Sequence, residues 1–163
     1  PLFLARRMIR FASEDVGNAD PRALSVAIDA MQAYHFLGSP EGELALAQAV
    51  VYLATAPKSN ALYAAYGRVR TTIDRTGTLP VPLHIRNAPT KLMRELDYGK
   101  GYLYAHDFAD AYVPQEYLPE ELRRNEGRFY RPTDRGYEKT IGERLEYWRR
   151  LREAGAAKKG EPR

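Results

Sequence analysis

The segment "LHIRNAPTKLMRELDYGKGYLYAHD", residues 83–107, gathers most of the side chains through which this chain could do chemistry. It holds two of the three histidines, His84 and His106. Arg86, Lys91, Arg94 and Lys100 lie between them, and Tyr102 and Tyr104 follow a Gly-Lys-Gly turn. Cations interleaved with aromatic rings can neutralise phosphates and stack the bases of a single strand. The same rings can instead pack a long loop onto a bundle and leave their hydroxyls wet, which is the simpler reading. The neighbours His106 and Asp107 could in principle orient an imidazole for acid–base work. A histidine that merely ties down the loop asks for less. The third histidine, His35, falls at the end of a helix and reads as a local hydrogen-bonding residue.

Other routes to catalysis are missing from the sequence. Gly99-Lys100 is followed by Gly101, so no P-loop with a hydroxyl ligand for magnesium is present. There is no H-E-x-x-H pair to place two imidazoles on one helix face and no G-x-S-x-G nucleophile turn. Cysteine is absent, which excludes disulfides, thiolate catalysis and cysteine-ligated zinc. No catalytic or metal-ligating residue is therefore assigned, and no cofactor is expected in this stretch of protein. The longest apolar run, residues 44–56, falls short of the roughly 18 residues a membrane span needs, so no membrane is expected as a partner.

Charge is unevenly spread. Residues 1–56 hold four arginines against six carboxylates, whereas the remainder holds 21 basic and 15 acidic side chains. The net charge of +4 permits nucleic-acid contact without requiring it.

The elements that must position these residues are helical. "LFLARRMIRFA" places Leu4, Met8 and Phe11 on one face and its arginines on the other, and Gly17-Asn18 end the segment. Asp20 is the expected cap of a second helix with Pro21 at its first position and Leu24, Ala27, Ile28 and Met31 as its buried stripe, stopped by Gly38. Ser39 and Pro40 repeat the device for "EGELALAQAVVYLATA", which is apolar enough to predict a central helix with neighbours on most sides. Ser59 is the expected cap of a fourth helix whose stripe is Leu62, Tyr66, Val69 and Ile73, and Gly77 ends it. A short helix over "PTKLMREL" is expected with Asn87 as cap and Pro89 in its first turn. From Tyr98 to about Pro132 no period is strong, apart from a turn of helix at "PEEL", residues 119–122. This strap carries six of the twelve tyrosines: Tyr98, Tyr102, Tyr104, Tyr112, Tyr117 and Tyr130. A last helix places Ile141, Leu145, Trp148 and Leu151 on one face. The fold class is all-α, a bundle of about five to seven helices with a long irregular strap. One helical domain is expected over residues 1–153, with a disordered tail at 154–163. The chain begins at Pro1 and goes straight into a helix, so it reads as a piece of a longer protein.

Five separated stretches carry a resemblance. "RRMIRFASEDVGNADPRAL", "AQAVVYLATAPKSNALYAA", "PLHIRNAPTKLMRELDYGKGYLYAHD", "VPQEYLPEEL" and "FYRPTDRGYEKTIGERL" resemble, in that order, the C-terminal region of the RarA (MgsA) family of AAA+ ATPases. This family includes the Werner-helicase-interacting ATPase. The resemblance runs from about Leu2 to about Arg150. It implies a helical domain in the position of a clamp-loader collar that assembles the protein into a homotetramer. ATP and magnesium would be bound by an N-terminal ATPase module. The partners it implies are DNA at replication forks, single-stranded-DNA-binding protein and that ATPase module, in a cytoplasmic, nucleoid-associated protein. Within such a domain the candidate DNA or partner contacts are Lys58, His84, Arg86, Lys91, Arg94, Lys100, Tyr102, Tyr104 and His106. One position departs from the family's wording: Asp97 stands where a small residue is expected before "YGKG".

Overall fold

The computed structural model describes residues 1–108, 111–123 and 128–159. Among these residues there is no strand. The seven α-helices are α1 (Leu2–Phe11), α2 (Ala23–Leu37), α3 (Glu41–Thr55), α4 (Ala61–Thr76), α5 (Lys91–Glu95), α6 (Glu120–Arg123) and α7 (Tyr137–Lys159). The chain divides into two compact units, one of Pro1–Thr71 with Phe129–Arg144, the other of Thr72–Arg128 with the chain from Leu145 onward. The divisions fall inside α4 and α7. The all-α reading holds. Of the positions expected as tail, 154–159 are assigned to α7 and residues 160–163 lie outside the described set.

In the first unit, α1, α2 and α3 pack against one another around Ala5, Met8, Ala12, Val16, Ala23, Ala27, Ala30, Leu46, Ala49, Leu53 and Ala56. Seven of these eleven residues are alanine, and this decides which faces turn inward. Small side chains let two helix backbones approach and gain dispersion contact along their length, whereas a leucine there would hold them apart. The expected stripes are therefore rotated. In α1, Ala5 and Met8 are buried while Leu4 is exposed. In α2 the inner face is Ala23, Ala27 and Ala30; Leu24 lies outside, and Ile28 and Met31 are half-buried. In α4, Ala61, Ala65 and Thr72 are buried, whereas Leu62, Tyr66 and Ile73 are exposed. The third helix buries Gly42, Leu46, Ala49 and Leu53 but leaves Leu44, Val50 and Val51 outside, so among the described residues it is packed on one side only, not on most sides as its composition predicts.

Several expected caps also shift. Asp20 accepts from the Arg22 amide at 3.0 Å, but in the turn before α2: the helix starts at Ala23, with Arg22 rather than Asp20 in the cap position and Pro21 outside it. Ser39 does not cap α3: its hydroxyl donates to Glu43 at 2.5 Å, and α3 starts after Pro40. Ser59 does accept from the Ala61 amide at the start of α4, at 3.2 Å. For α5 the cap is Thr90, whose hydroxyl accepts from the Met93 amide at 3.2 Å, rather than Asn87. Thr90 has extended backbone, as a capping residue needs, and Pro89 before it stays outside the helix.

Two helices of the core approach closely at Gly42, near the start of α3. A Cβ there would sit 2.8 Å from the Cα of Tyr34 and 3.2 Å from its carbonyl oxygen. Those are backbone atoms of α2 and cannot swing aside. Gly42→Ala should therefore lower the unfolding free energy by about 1–2 kcal/mol, although alanine is the better helix former. Chemical denaturation monitored by circular dichroism measures this.

Candidate functional site

The residues singled out between 83 and 107 fall in the second unit and are held by backbone geometry more than by packing. A 3₁₀ turn over Leu83–Ile85 leads into α5. The fifth helix ends with Asp97 in the left-handed region (φ 62°). There the Tyr98 amide reaches back to the Met93 carbonyl at 3.0 Å and the Asp97 amide to the Arg94 carbonyl at 3.1 Å. This double bond pattern is a Schellman stop, and the residue at its left-handed position is usually glycine. It accounts for the small residue expected at position 97. The chain then returns to the preceding turn, with the Gly99 amide donating to the Leu83 carbonyl at 2.9 Å.

Two of the candidate side chains, His84 and Arg86, are committed to this scaffold. His84 donates through Nε2 to the Glu116 carbonyl at 2.7 Å. Arg86 donates to the Val81 carbonyl at 2.6 Å and to the Tyr98 hydroxyl at 3.2 Å, and lies 5.0 Å over the Tyr98 ring. The Leu103 amide donates to the Gln115 side chain at 2.8 Å, and Arg152 pairs with Glu116, so the strap is pinned at several points within this unit. Lys91 faces Glu95 at 3.7 Å and Lys100 faces Asp97 at 2.8 Å, both on the surface. The hydrogen bond to Asp97, then its charge, raises the Lys100 pKa. Arg94 makes no ion pair among the described residues. Tyr102, Tyr104 and His106 are exposed, and the rings of Tyr104 and His106 lie 5.1 Å apart. Lys58 stands apart, in the first unit. Its ammonium donates to the Leu53 carbonyl at 2.8 Å, to Ala54 at 3.3 Å and to Ala56, closing the C-terminus of α3. What remains is a thin surface. Residues 84–107 carry four permanent cations and three carboxylates, so phosphate attraction there is weak.

A cluster around Glu138, outside the candidate residues, is more strongly built. Glu138, the second residue of α7, is fully buried. Its carboxylate accepts from the Ser59 hydroxyl at 2.7 Å, the Tyr130 hydroxyl at 2.7 Å, and the Thr133 amide and hydroxyl at 2.8 and 2.7 Å. Asn18 donates to the same Tyr130 oxygen at 3.3 Å. Burial by itself would push Glu138 up. The hydrogen bonds from Ser59, Thr133 and Tyr130 together outweigh it and hold the pKa below the usual carboxylate value. Tyr130 is pushed up to about 12, first by burial and then by its bond to Glu138. Nearby, Gly136 (φ 51°) lies so close to the Ala19 carbonyl that a Cβ would collide with it, so this crossing admits only glycine. In the sequence, an acidic residue in the first turn of a helix reads as an ordinary response to the helix dipole, which is why Glu138 drew no attention.

The described residues thus form a helical domain with large apolar side chains facing outward and with its best-connected polar groups holding segments of the chain in place. The comparisons place it further. A family model described as MgsA AAA+ ATPase C terminal matches residues 1–149, and the chain belongs to that family. It is 55% identical over 154 residues to Replication-associated recombination protein A of Coxiella burnetii, covering 94% of this chain and 34% of that protein. It is 53% identical over 146 residues to the protein of the same name from Escherichia coli K12, covering 89% and 32%. It is also 49% identical over 124 residues to ATPase WRNIP1 of Dictyostelium discoideum, covering 76% and 14%. The chain thus spans about one third of the length of the two bacterial relatives.

Two expectations follow from the site. The depressed pKa of Glu138 contributes stability above the ordinary carboxylate value of about 4.3, and this is lost as pH falls through the lower folded value. Glu138→Gln should cost about 2 kcal/mol at neutral pH and flatten that acid limb. Denaturant midpoints between pH 7 and pH 3 measure both. Asp97→Gly should stabilise the strap by about 0.5–1 kcal/mol, because glycine relieves the left-handed backbone and the lost surface pair is screened by solvent. A thermal scan of the single variant measures it, and a lowered midpoint would show that the pair with Lys100 outweighs the backbone strain.

Proposed function

We propose that this chain is the assembly domain of an AAA+ ATPase, joining copies into a homotetramer and leaving ATP and magnesium to an ATPase module elsewhere in the whole protein. The observation that carries this is the amount of apolar surface turned outward in the first unit. Phe3 is 76% exposed, Phe36 89% and Leu44 77%, with Leu2, Leu4, Leu37, Val51 and Tyr66 also exposed. Single exposed leucines are ordinary, but large apolar side chains exposed on all four helices α1–α4 mark a surface made to be covered. Family membership supports the ATPase context, and the relatives' names support a place in replication-associated recombination, with DNA as the substrate of the whole protein. Single-stranded-DNA-binding protein is a further partner on this reading. No described helix is long and apolar enough to cross a membrane.

A second reading rests on the exposed Arg94, Tyr102, Tyr104 and His106, which could meet DNA or the ATPase module from the strap. The near-balance of charge across residues 84–107 favours the first.

Light scattering of the chain across concentration, at low and high salt, tests the assembly reading. The expected result is a mass of four copies that salt does not lower, because apolar contacts are not screened. A monomer at every concentration would overturn it and move the weight to the strap.

A further inference from the structure

The third helix has two apolar faces, and only one is packed among the described residues. Leu46, Ala49 and Leu53 point into the core. On the opposite side of the same helix lie Leu44, Ala47, Val51 and Ala54, all exposed, with Leu44 at 77% and Val51 at 64%. Their spacing of three, four and three residues is that of a helix–helix seam. From Leu44 to Thr55 the helix carries no charged residue. A helix that is apolar all round belongs in an interior, and here half of it has none.

We propose that this outer face of α3 is a contact between two copies of the chain, packed antiparallel across a two-fold axis. The proposal rests on the assembly reading above and names its surface. Two features of the face select a second copy as occupant. The first is shape. An antiparallel pairing that sets Leu44 against Ala54 of the second copy also sets Ala47 against Val51. Each large side chain then meets a small one, and the face fits itself. The second is charge. Identical surfaces that meet across a two-fold axis bring each charge near its own sign. This face has no charge to repel, and it offers nothing to a nucleic acid or to a charged peptide. The ridge of one 15-residue helix falls short of the roughly 800 Å² per partner of a standard interface. The groove beside it, floored by Ala30, Ala33, Ala45 and Ala49 and joined to the ridge through Gln48, extends the surface; its one charged lining residue, Asp29, sits on α2 and not on the outer face of α3.

The absence of cysteine from the chain makes the geometry testable by cross-linking. Leu44→Cys and Ala54→Cys, mixed and oxidised, should give a disulfide-linked pair, whereas each alone should not, because like positions lie about ten residues, or roughly 15 Å, apart in this register. Val51→Arg should weaken self-association at least about tenfold by light scattering while keeping wild-type helicity, since the side chain points away from the core. A cross-link by Leu44→Cys alone would mean parallel packing and overturn the proposal. A Val51→Arg variant that keeps the wild-type mass would also overturn it, while leaving assembly through another face intact. A wild-type chain that is monomeric throughout would remove the assembly reading and this proposal together.

Discussion

The first unit depends on one buried carboxylate. Glu138 accepts four hydrogen bonds from three residues that are distant in sequence or lie in an irregular segment: Ser59 at the head of α4, and Tyr130 and Thr133 in the chain leading into α7. A carboxylate without partners could not be buried there, because its desolvation would exceed anything packing returns. With four donors it becomes a fixed point. Through Tyr130 it also reaches Asn18 at the α1–α2 connection. The segment at 129–138, which has no secondary structure of its own before α7, is placed by this network and by Arg68, which donates twice to the Phe129 carbonyl. The close crossing at Gly136 then has a reason: chain held this firmly can be brought against the Ala19 carbonyl, provided no Cβ intervenes.

The second constraint is the size of the side chains in the core. Alanines line the contacts of α1, α2 and α3, so these helices sit close and the larger apolar residues are displaced to the outside. In a chain with nothing further to bury this arrangement would be wasteful. Family membership gives it a context, since this sequence spans about a third of the length of its two bacterial relatives. The strap in the second unit follows another logic. His84, Arg86 and Gln115 use their polar groups to hold backbone, and the rings of Tyr102 and Tyr104 are left facing outward.

Helix positions could be read from the sequence because their signals are local. Ser59, Gly38 and Gly77 act where they stand, and the structure starts or ends helices beside them. Which face of each helix turns inward could not be read in the same way. The apolar period selects the heaviest stripe, Leu24 with Ile28 or Leu62 with Tyr66. The core chose Ala23 with Ala27 and Ala61 with Ala65, one residue round the helix. Periodicity counts hydrophobicity, whereas close packing counts volume, and in an alanine-rich bundle the two disagree. The candidate contacts split along the same line. Lys58 stood among the candidates, but its three carbonyl partners at the end of α3 become visible only when that helix end is built. Glu138 was hidden for the converse reason, since all of its significance comes from residues 5 to 79 positions away.

The outward side of α3 has a thermal consequence. Covering apolar surface is driven near room temperature almost entirely by entropy and carries a large negative heat-capacity change. Its strength therefore falls on cooling, unlike that of contacts made by hydrogen bonds or ion pairs. Whatever lies over Leu44, Val50 and Val51 is held more loosely in the cold than at the temperature of growth. An association resting on this helix would come apart first on ice, the condition under which proteins are usually purified and stored.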